Sequence, residues 1–285
     1  MIFWIASYPK SGNTWLRALL SAYYFTNDGI FSNDSLLRNI QQFPEKKHFS
    51  NFEYQLDKPG DTAKFWIRAQ ELINKDKKIK FFKTHSAFGK INNYDFTNEE
   101  NSIGCLYIVR DPRNVFTSIK NHYELDDEKA LKWMTNDKQF LYNVEKVKED
   151  GFSDFQFISS WNMNYISWKL QKKIPLKFIR YEDLLNETYS VFLDILEFIN
   201  TLTNNSEKIN KSKVKTVLKT TIFEKLKQNE IKKGFSEAIP SQSNKNKKIP
   251  FFNLGPQNDW RKILDEGLKE KLENSFKKDI KELSY

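Results

Sequence analysis

Cysteine, histidine and long apolar runs are scarce in this sequence of 285 residues. Its one cysteine, Cys105, rules out a disulfide within the chain, and its place in the apolar run IGCLYIV predicts a buried, inert thiol. The three histidines, His48, His85 and His122, show no metal-ligand spacing, which argues against a zinc site. No apolar run approaches the roughly 18 residues of a membrane span, and no secretory signal is recognisable. We therefore expect a cytoplasmic protein that needs no metal.

Linkers rich in proline, glycine and serine are absent too, so we expect residues 1–285 to form one domain. The formal net charge of +9 comes from one segment, because residues 208–248 hold 12 lysines and three glutamates. This segment has no arginine and few aromatic residues, which favours a solvated helix and a loop over a nucleic-acid surface. A basic nucleic-acid-binding protein stays open as a less favoured hypothesis. Residues 231–257 show no periodicity, and we expect a mobile loop there, beside the binding site.

Short apolar runs alternate with helical patterns along the chain. Strands are predicted at residues 1–6, 79–83, 102–109 and 175–180. Helices are predicted at residues 14–25, 61–74, 112–123, 127–148, 159–173, 188–200 and 259–285, while residues 26–60 look irregular. Strand followed by helix, repeated, is typical of a parallel sheet that is covered on both faces. The sequence therefore predicts a P-loop-like, three-layer α/β/α fold around a central parallel sheet.

The turn between the first strand and the first helix carries the strongest chemical signal. It spans Ser7 to Trp15 and reads SYPKSGNTW. A turn in this place directs backbone N–H groups and the positive end of the helix dipole towards one point, and Lys10 adds a cation. These features suit a phosphate or sulfate group, so the turn predicts an anion-binding site.

The order of residues in this turn differs from that of an ATP-binding P-loop. That motif has a glycine five positions before its Gly-Lys-Ser/Thr sequence. Here Lys10 precedes Gly12, and the residue five positions before Gly12 is Ser7. A P-loop kinase that uses ATP and Mg²⁺ is therefore the less favoured alternative.

Polar groups also follow the other predicted strands. They are Lys83-Thr84-His85 after the second strand, Arg110 with Ser118 eight residues later after the third, and Tyr181 after the fourth. Ligands of parallel sheets bind beyond the carboxyl ends of the strands, so these groups are expected to converge.

Taken together, the motifs resemble the cytosolic type of sulfotransferase, and the resemblance extends over nearly the whole chain. The motifs that carry it are SYPKSGNTW, FFKTHS, YIVRDPRNVFTSIKNHY, RYEDLL, TTIFEKLKQN and GPQNDWRK. This family transfers a sulfonate from 3′-phosphoadenosine 5′-phosphosulfate (PAPS) to a hydroxyl or amine and releases 3′-phosphoadenosine 5′-phosphate (PAP). The resemblance implies the same reaction here, on a small acceptor and without a metal.

The resemblance also implies roles for individual residues. His85 would be the general base, Lys10 would contact the bridging oxygen and the sulfonate, and Lys83 would be a second cation there. Ser11, Gly12, Asn13 and Thr14 would surround the 5′-phosphate, and Arg110 and Ser118 would hold the 3′-phosphate. Trp15, Tyr181, Thr221 and Phe223 would line the adenine site, and Gly255 of the C-terminal motif would also contact the nucleotide.

Elementary chemistry supports the assignments of Lys10 and His85. Negative charge grows on the bridging oxygen as the sulfonate leaves, and a fixed ammonium such as that of Lys10 stabilises this charge most strongly in the transition state. The acceptor must lose a proton as it attacks, and the imidazole of His85, with an ordinary pKa of roughly 6.5, can accept it near neutral pH.

Two regions depart from the family pattern. Many relatives carry a basic pair before the glycine of the C-terminal motif, where this chain has Asn253-Leu254-Gly255. Candidates to replace that charge are Lys245, Lys247, Lys248 and Arg261. Ser86-Ala87-Phe88 replaces the common Leu-Pro after the histidine, so the acceptor wall is expected to differ. Six aromatic residues either line an acceptor pocket or belong to the core: Phe82, Phe88, Tyr123, Trp133, Phe152 and Phe155. The acceptor and the oligomeric state stay open.

Overall fold

A computed structural model of the chain describes residues 1–244 and 246–285. In these ranges the strands are β1 (Ile2–Ala6), β2 (Gln41–Gln42), β3 (Lys80–Thr84), β4 (Lys90–Ile91), β5 (Tyr94–Asp95), β6 (Ser102–Val109), β7 (Phe140–Leu141), β8 (Gln156–Phe157) and β9 (Leu176–Arg180). The α-helices are α1 (Asn13–Phe25), α2 (Trp66–Ile73), α3 (Pro112–Tyr123), α4 (Asp127–Thr135), α5 (Val147–Asp150), α6 (Trp161–Leu170), α7 (Tyr181–Asn186), α8 (Thr188–Thr203), α9 (Lys211–Thr220), α10 (Phe223–Lys233), α11 (Trp260–Ile263), α12 (Glu266–Ser275) and α13 (Lys277–Glu282). None of the helices in the described ranges is long and apolar enough to cross a membrane.

The central sheet has five strands in the order β2-β3-β1-β6-β9, and every neighbouring pair is parallel. All five residues of the central strand β1 are 0% exposed, as expected of a strand that is covered on both faces. The predicted parallel sheet is confirmed. Its two-residue edge strand β2 was not predicted, because the residues around it look irregular in sequence.

Helices pack on both faces of the sheet, and each face has its own hydrophobic core. Along β1, Trp4 belongs to one core and Phe3 and Ile5 belong to the other. Residues of α2, α3, α4, α6 and α12 complete the Trp4 core, and residues of α1, α7, α8, α9 and α10 complete the opposite core. The three-layer α/β/α prediction is therefore confirmed. The carboxyl ends of all five strands lie at the same edge of the sheet, and the candidate site lies at that edge.

Two predicted helices are wrong in extent. The predicted helix at residues 127–148 ends at Thr135, and β7 then pairs with β8 through Phe140 and Phe157. Phe140 packs against the ring of Phe155 at 5.1 Å, so a tertiary contact overrides the local helical pattern. The predicted helix at residues 259–285 is three helices, because the Asp265 carboxylate caps the Leu268 N–H and starts a new helix there.

Candidate active site

The turn after β1 forms the floor of the site. Lys10 and Gly12 both have left-handed backbone conformations, with φ of 65° and 102°. A Cβ atom on Gly12 would come within 2.5 Å of the Tyr181 ring, so only glycine fits here. No side chain caps the start of α1, and its first N–H groups face the cleft, as an anion site requires.

The loop after β3 holds His85 from several sides. The Gln156 side chain accepts from the His85 backbone N–H at 2.7 Å, and the Asn164 amide donates to the His85 carbonyl at 2.9 Å. Trp168 on α6 donates from its indole N–H to the carbonyl of Ser86 at 2.9 Å. These supporting residues come from β8 and α6, which lie far from His85 in sequence.

The hydrogen bond of the His85 ring defines its tautomer. The ring Nδ1 lies 2.8 Å from the carbonyl oxygen of Ser7. A carbonyl can only accept, so Nδ1 carries the proton and Nε2 keeps the lone pair. Burial, and secondly the positive charge of Lys83, lower the pKa of His85 to about 3. The imidazole is therefore neutral at pH 7, with Nε2 available to accept a proton.

Lys10 and Lys83 bring two ammonium groups to the same edge. Burial lowers the pKa of Lys10 to about 7, and its Nζ lies 3.8 Å from the centre of the Phe251 ring. Burial also lowers the pKa of Lys83. An anion placed between the two groups would be favoured, because it would keep both protonated.

A carboxylate that the sequence did not single out binds Lys83 and a further cation, Arg17. Glu237 accepts from Arg17 Nη1 at 2.6 Å, from Lys83 Nζ at 2.8 Å and from the Thr14 hydroxyl at 2.9 Å. Burial alone would raise the pKa of Glu237, but Arg17 and Lys83 hold it well below its ordinary value. The Glu237 carboxylate therefore occupies a position whose charge and hydrogen-bond donors suit an oxyanion. Its segment has no periodicity, so no sequence signal could have identified it.

The carboxyl end of β6 presents the predicted 3′-phosphate residues. The Arg110 guanidinium lies 4.3 Å from the centre of the Tyr181 ring and donates to the Lys10 carbonyl at 3.3 Å. The Ser118 hydroxyl accepts from the Asn258 amide at 3.0 Å. Asn258 was missed by sequence reasoning, although it lies next to the GPQ turn of the predicted C-terminal motif.

One continuous cleft of about 1590 Å³ connects these groups. Its lining includes twelve of the fourteen predicted site residues, namely Lys10, Gly12, Asn13, Thr14, Trp15, Lys83, His85, Arg110, Ser118, Tyr181, Phe223 and Gly255. The other two lie behind its wall. Ser11 is 0% exposed, and the Thr221 hydroxyl is buried and donates to the Val217 carbonyl at 2.8 Å.

Three candidates to replace the missing basic pair, Lys247, Lys248 and Arg261, are not in the cleft wall. Lys247 and Lys248 are exposed, and the Arg261 guanidinium lies 4.6 Å from the Trp260 ring. Lys245 lies outside the described residues. The cation that approaches this segment is Lys227, whose Nζ donates to the Asn253 carbonyl at 2.9 Å. A lysine of α10 therefore lies beside the segment that lacks the basic pair, and the sequence did not indicate this contact.

The segment predicted as a mobile loop starts later than expected and has several anchors. Helix α10 extends to Lys233, three residues into the predicted loop. The Glu230 carboxylate accepts from the N–H groups of Phe251 and Phe252, and the Glu124 carboxylate accepts from the Ser241 hydroxyl at 2.8 Å. The mobility of this segment stays a prediction. Over residues 1–244 and 246–285, no group of three or more His, Cys, Asp or Glu could hold a metal ion.

Comparisons with known proteins agree with this geometry. Luciferin sulfotransferase of Photinus pyralis is 24% identical over 293 residues, which cover 99% of this chain and 72% of that protein. Cytosolic sulfotransferase 15 of Arabidopsis thaliana is 27% identical over 273 residues, covering 94% of this chain and 68% of that protein.

Solved structures show the same fold. Retinol dehydratase in complex with retinol and PAP has a TM-score of 0.60 at 18% identity, over 98% of this chain and 81% of that chain. A mouse sulfotransferase complexed with PAP has a TM-score of 0.52 at 15% identity, over 97% and 83%. The family model described as a sulfotransferase domain matches residues 2–284. This chain therefore belongs to the sulfotransferase family.

Proposed function

We propose that the protein transfers a sulfonate from PAPS to a hydroxyl or amine of a small acceptor, with His85 as the base. The observation that carries this proposal is the Glu237 carboxylate. It is bound by Thr14 and Lys83, two of the groups predicted to hold the phosphosulfate, and by Arg17. Groups that already bind a buried carboxylate have the charge and the hydrogen-bond donors that another oxyanion needs.

The remaining residues fit a doubly phosphorylated adenosine. The Arg110 Nε–H is buried without a hydrogen-bond partner among the described residues, and Arg110 lines the cleft, so this group can donate to a ligand. Arg110 and Ser118 would bind the 3′-phosphate, while Trp15, Tyr181 and Phe223 offer ring surfaces for adenine. The PAP complexes of two structural neighbours support the same assignment.

The chemistry of the transfer follows from the site residues. The sulfur–oxygen bond to the bridging phosphate oxygen breaks, a bond from sulfur to the acceptor atom forms, and PAP leaves. Lys10 and Lys83 stabilise the charge that grows on the leaving oxygen. His85 Nε2 takes the proton of the acceptor, and the nearby negative charge of the donor raises the low pKa of His85 towards a useful value.

We also propose a cytoplasmic location and one domain over residues 1–285. The Arabidopsis relative that is named as a cytosolic sulfotransferase supports the location. The family model, which spans residues 2–284 as one domain, supports the domain assignment.

Radiolabelled PAPS tests the function directly. We expect micromolar binding of PAP by calorimetry, and transfer of ³⁵S to an acceptor panel in the presence of EDTA, with inhibition by PAP. Hydrolysis of ATP that requires Mg²⁺, without PAP binding, would favour the kinase alternative. Salt-sensitive RNA binding without transfer would favour a nucleic-acid-binding protein.

A further inference from the structure

The end of the cleft beyond His85 carries several polar side chains. Its wall is formed by the segment around β2 and by the region of the β7–β8 pair. Side chains that line it include Gln42, Glu45, Tyr142, Asn143, Asp154 and Gln156. Amides and carboxylates stand beside the apolar side chains of Leu141 and Val144 in this wall, whereas aromatic rings line the adenine end.

The aromatic residues that could have made an apolar acceptor pocket are mostly in the core. Phe82 and Phe155 are 4% and 5% exposed and belong to the core around Trp4. Phe88, Trp133 and Phe152 pack against that core, and of the six candidates only Tyr123 lines the cleft. Five of these six aromatic residues therefore do not form an apolar acceptor pocket.

Two buried side chains line the cleft, and each has a nitrogen atom without a hydrogen-bond partner among the described residues. His122 is 7% exposed, and its Nδ1 has no hydrogen-bond partner within residues 1–244 and 246–285. Gln156 is 4% exposed, and its oxygen already accepts from the His85 N–H. The structure gives the Gln156 amide nitrogen no partner in the described part of the chain, so this nitrogen can donate to a ligand.

Asp154 adds a carboxylate without a cationic partner among the described residues. One of its oxygens accepts from the Asn143 backbone N–H at 2.9 Å, and burial raises its pKa. The neighbouring carboxylates differ from it, because Asp150 pairs with Lys46 at 2.8 Å and Glu45 pairs with Lys47 at 2.6 Å. Asp154 is thus a carboxylate of this wall that can accept a hydrogen bond from an acceptor.

We propose that the acceptor is a hydroxyl-rich, carbohydrate-like molecule that hydrogen-bonds to Gln156, His122 and Asp154. This inference rests on the sulfotransferase function proposed above. The transferred sulfonate goes to one hydroxyl, whose proton passes to His85, and neighbouring hydroxyls satisfy the three polar side chains. A flat phenol or a steroid would desolvate these groups without pairing them, at a loss of about 10- to 100-fold in specificity for each group.

The test compares acceptors at a fixed concentration of ³⁵S-PAPS. Cellobiose, maltose and myo-inositol represent the proposed class, and 2-naphthol and 4-nitrophenol represent flat phenols. We expect at least one polyol to have a kcat/KM that is 100-fold or more above that of either phenol. A preference for a phenol overturns the inference, as does PAP binding with no transfer to any polyol. Absence of PAP binding would instead overturn the proposed function itself.

Variants test the same side chains. His122→Phe combined with Asp154→Leu should lower kcat/KM for the preferred polyol about 100-fold and raise that for 2-naphthol. The PAP dissociation constant should change less than threefold, which also reports that the fold is intact. Asp57→Leu, which removes an exposed carboxylate outside the cleft, is the matched control. Equal effects on polyol and phenol would contradict the inference.

Discussion

The two ends of the cleft are built from different kinds of sequence. The donor end, where we propose that PAPS binds, uses short motifs that follow the strands, such as the turn from Ser7 to Trp15 after β1. The acceptor end, where we propose that the acceptor binds, uses β2 and the β7–β8 region, whose sequences show little pattern. A parallel sheet therefore fixes the donor end through its strand edges, while the acceptor end depends on long-range packing. The donor end should tolerate few changes, and the acceptor end should control specificity.

The strongest test of this difference between the two ends is His85→Ala, because His85 lies between them. Loss of a general base lowers rates by about 10²- to 10⁴-fold, so we expect a drop of roughly 1,000-fold in kcat. PAP affinity should stay within threefold, since the ring of His85 bonds to Ser7 of the turn after β1 and not to a residue that is predicted to bind the donor. Single-turnover transfer and calorimetry measure the two quantities. Near-normal turnover would remove His85 from the mechanism.

Gly12→Ala should damage the donor end specifically. Its φ of 102° disfavours any side chain, and the added Cβ would lie within 2.5 Å of the Tyr181 ring. We expect PAP affinity to fall about 100-fold while the protein still folds. Gly89→Ala is the control, because a Cβ there meets nothing within 4 Å. Unchanged PAP affinity in the Gly12 variant would mean that the turn does not bind the donor.

Glu237→Gln separates affinity from stability at the donor end. The carboxylate and the donor phosphosulfate need the same groups, so removing its charge should strengthen PAP binding about tenfold. It also leaves Arg17 and Lys83 without their anion, so the melting temperature should fall by several degrees when no ligand is added. Glu224→Gln, an exposed carboxylate of the same cleft, is the control. Weaker PAP binding in the Glu237 variant would show that Glu237 supports the donor rather than competing with it.

A smaller effect is proton uptake on PAP binding. The pKa of Lys10 is about 7, so most molecules have lost this proton at pH 8, and a bound anion raises the pKa again. Binding at pH 8 should take up close to one proton, and binding at pH 6 close to none. Calorimetry in HEPES and in Tris, which differ in ionisation enthalpy, measures the uptake. Lys10→Arg should abolish it, and equal uptake in that variant would assign it to another group.

The sequence was informative where chemistry is local. Lys10, Gly12 and Arg110 lie within a few residues of a strand end, so their convergence follows from the parallel sheet. Glu237 meets Arg17 across 220 positions of chain, and no pattern records that contact. The same reason hides Gln156 and Asn164, which support His85 from other elements.

The helix predicted at residues 127–148 is wrong for a related reason. Its second half is polar and helix-like in sequence, yet Phe140 joins a strand pair against Phe155. Composition likewise could not tell that Phe82 and Phe155 face the core rather than the cleft. Local sequence patterns predict helices and strands. Which side chains line the acceptor wall depends instead on contacts between segments that are distant in sequence.

A crystal structure with PAP tests the central claim most directly. The account predicts the 3′-phosphate against Arg110 and Ser118, the 5′-phosphate over the turn that contains Gly12, and the Glu237 carboxylate moved away from Thr14. A nucleotide bound elsewhere, or bound with the Arg110 and Thr14 side chains untouched, would contradict it.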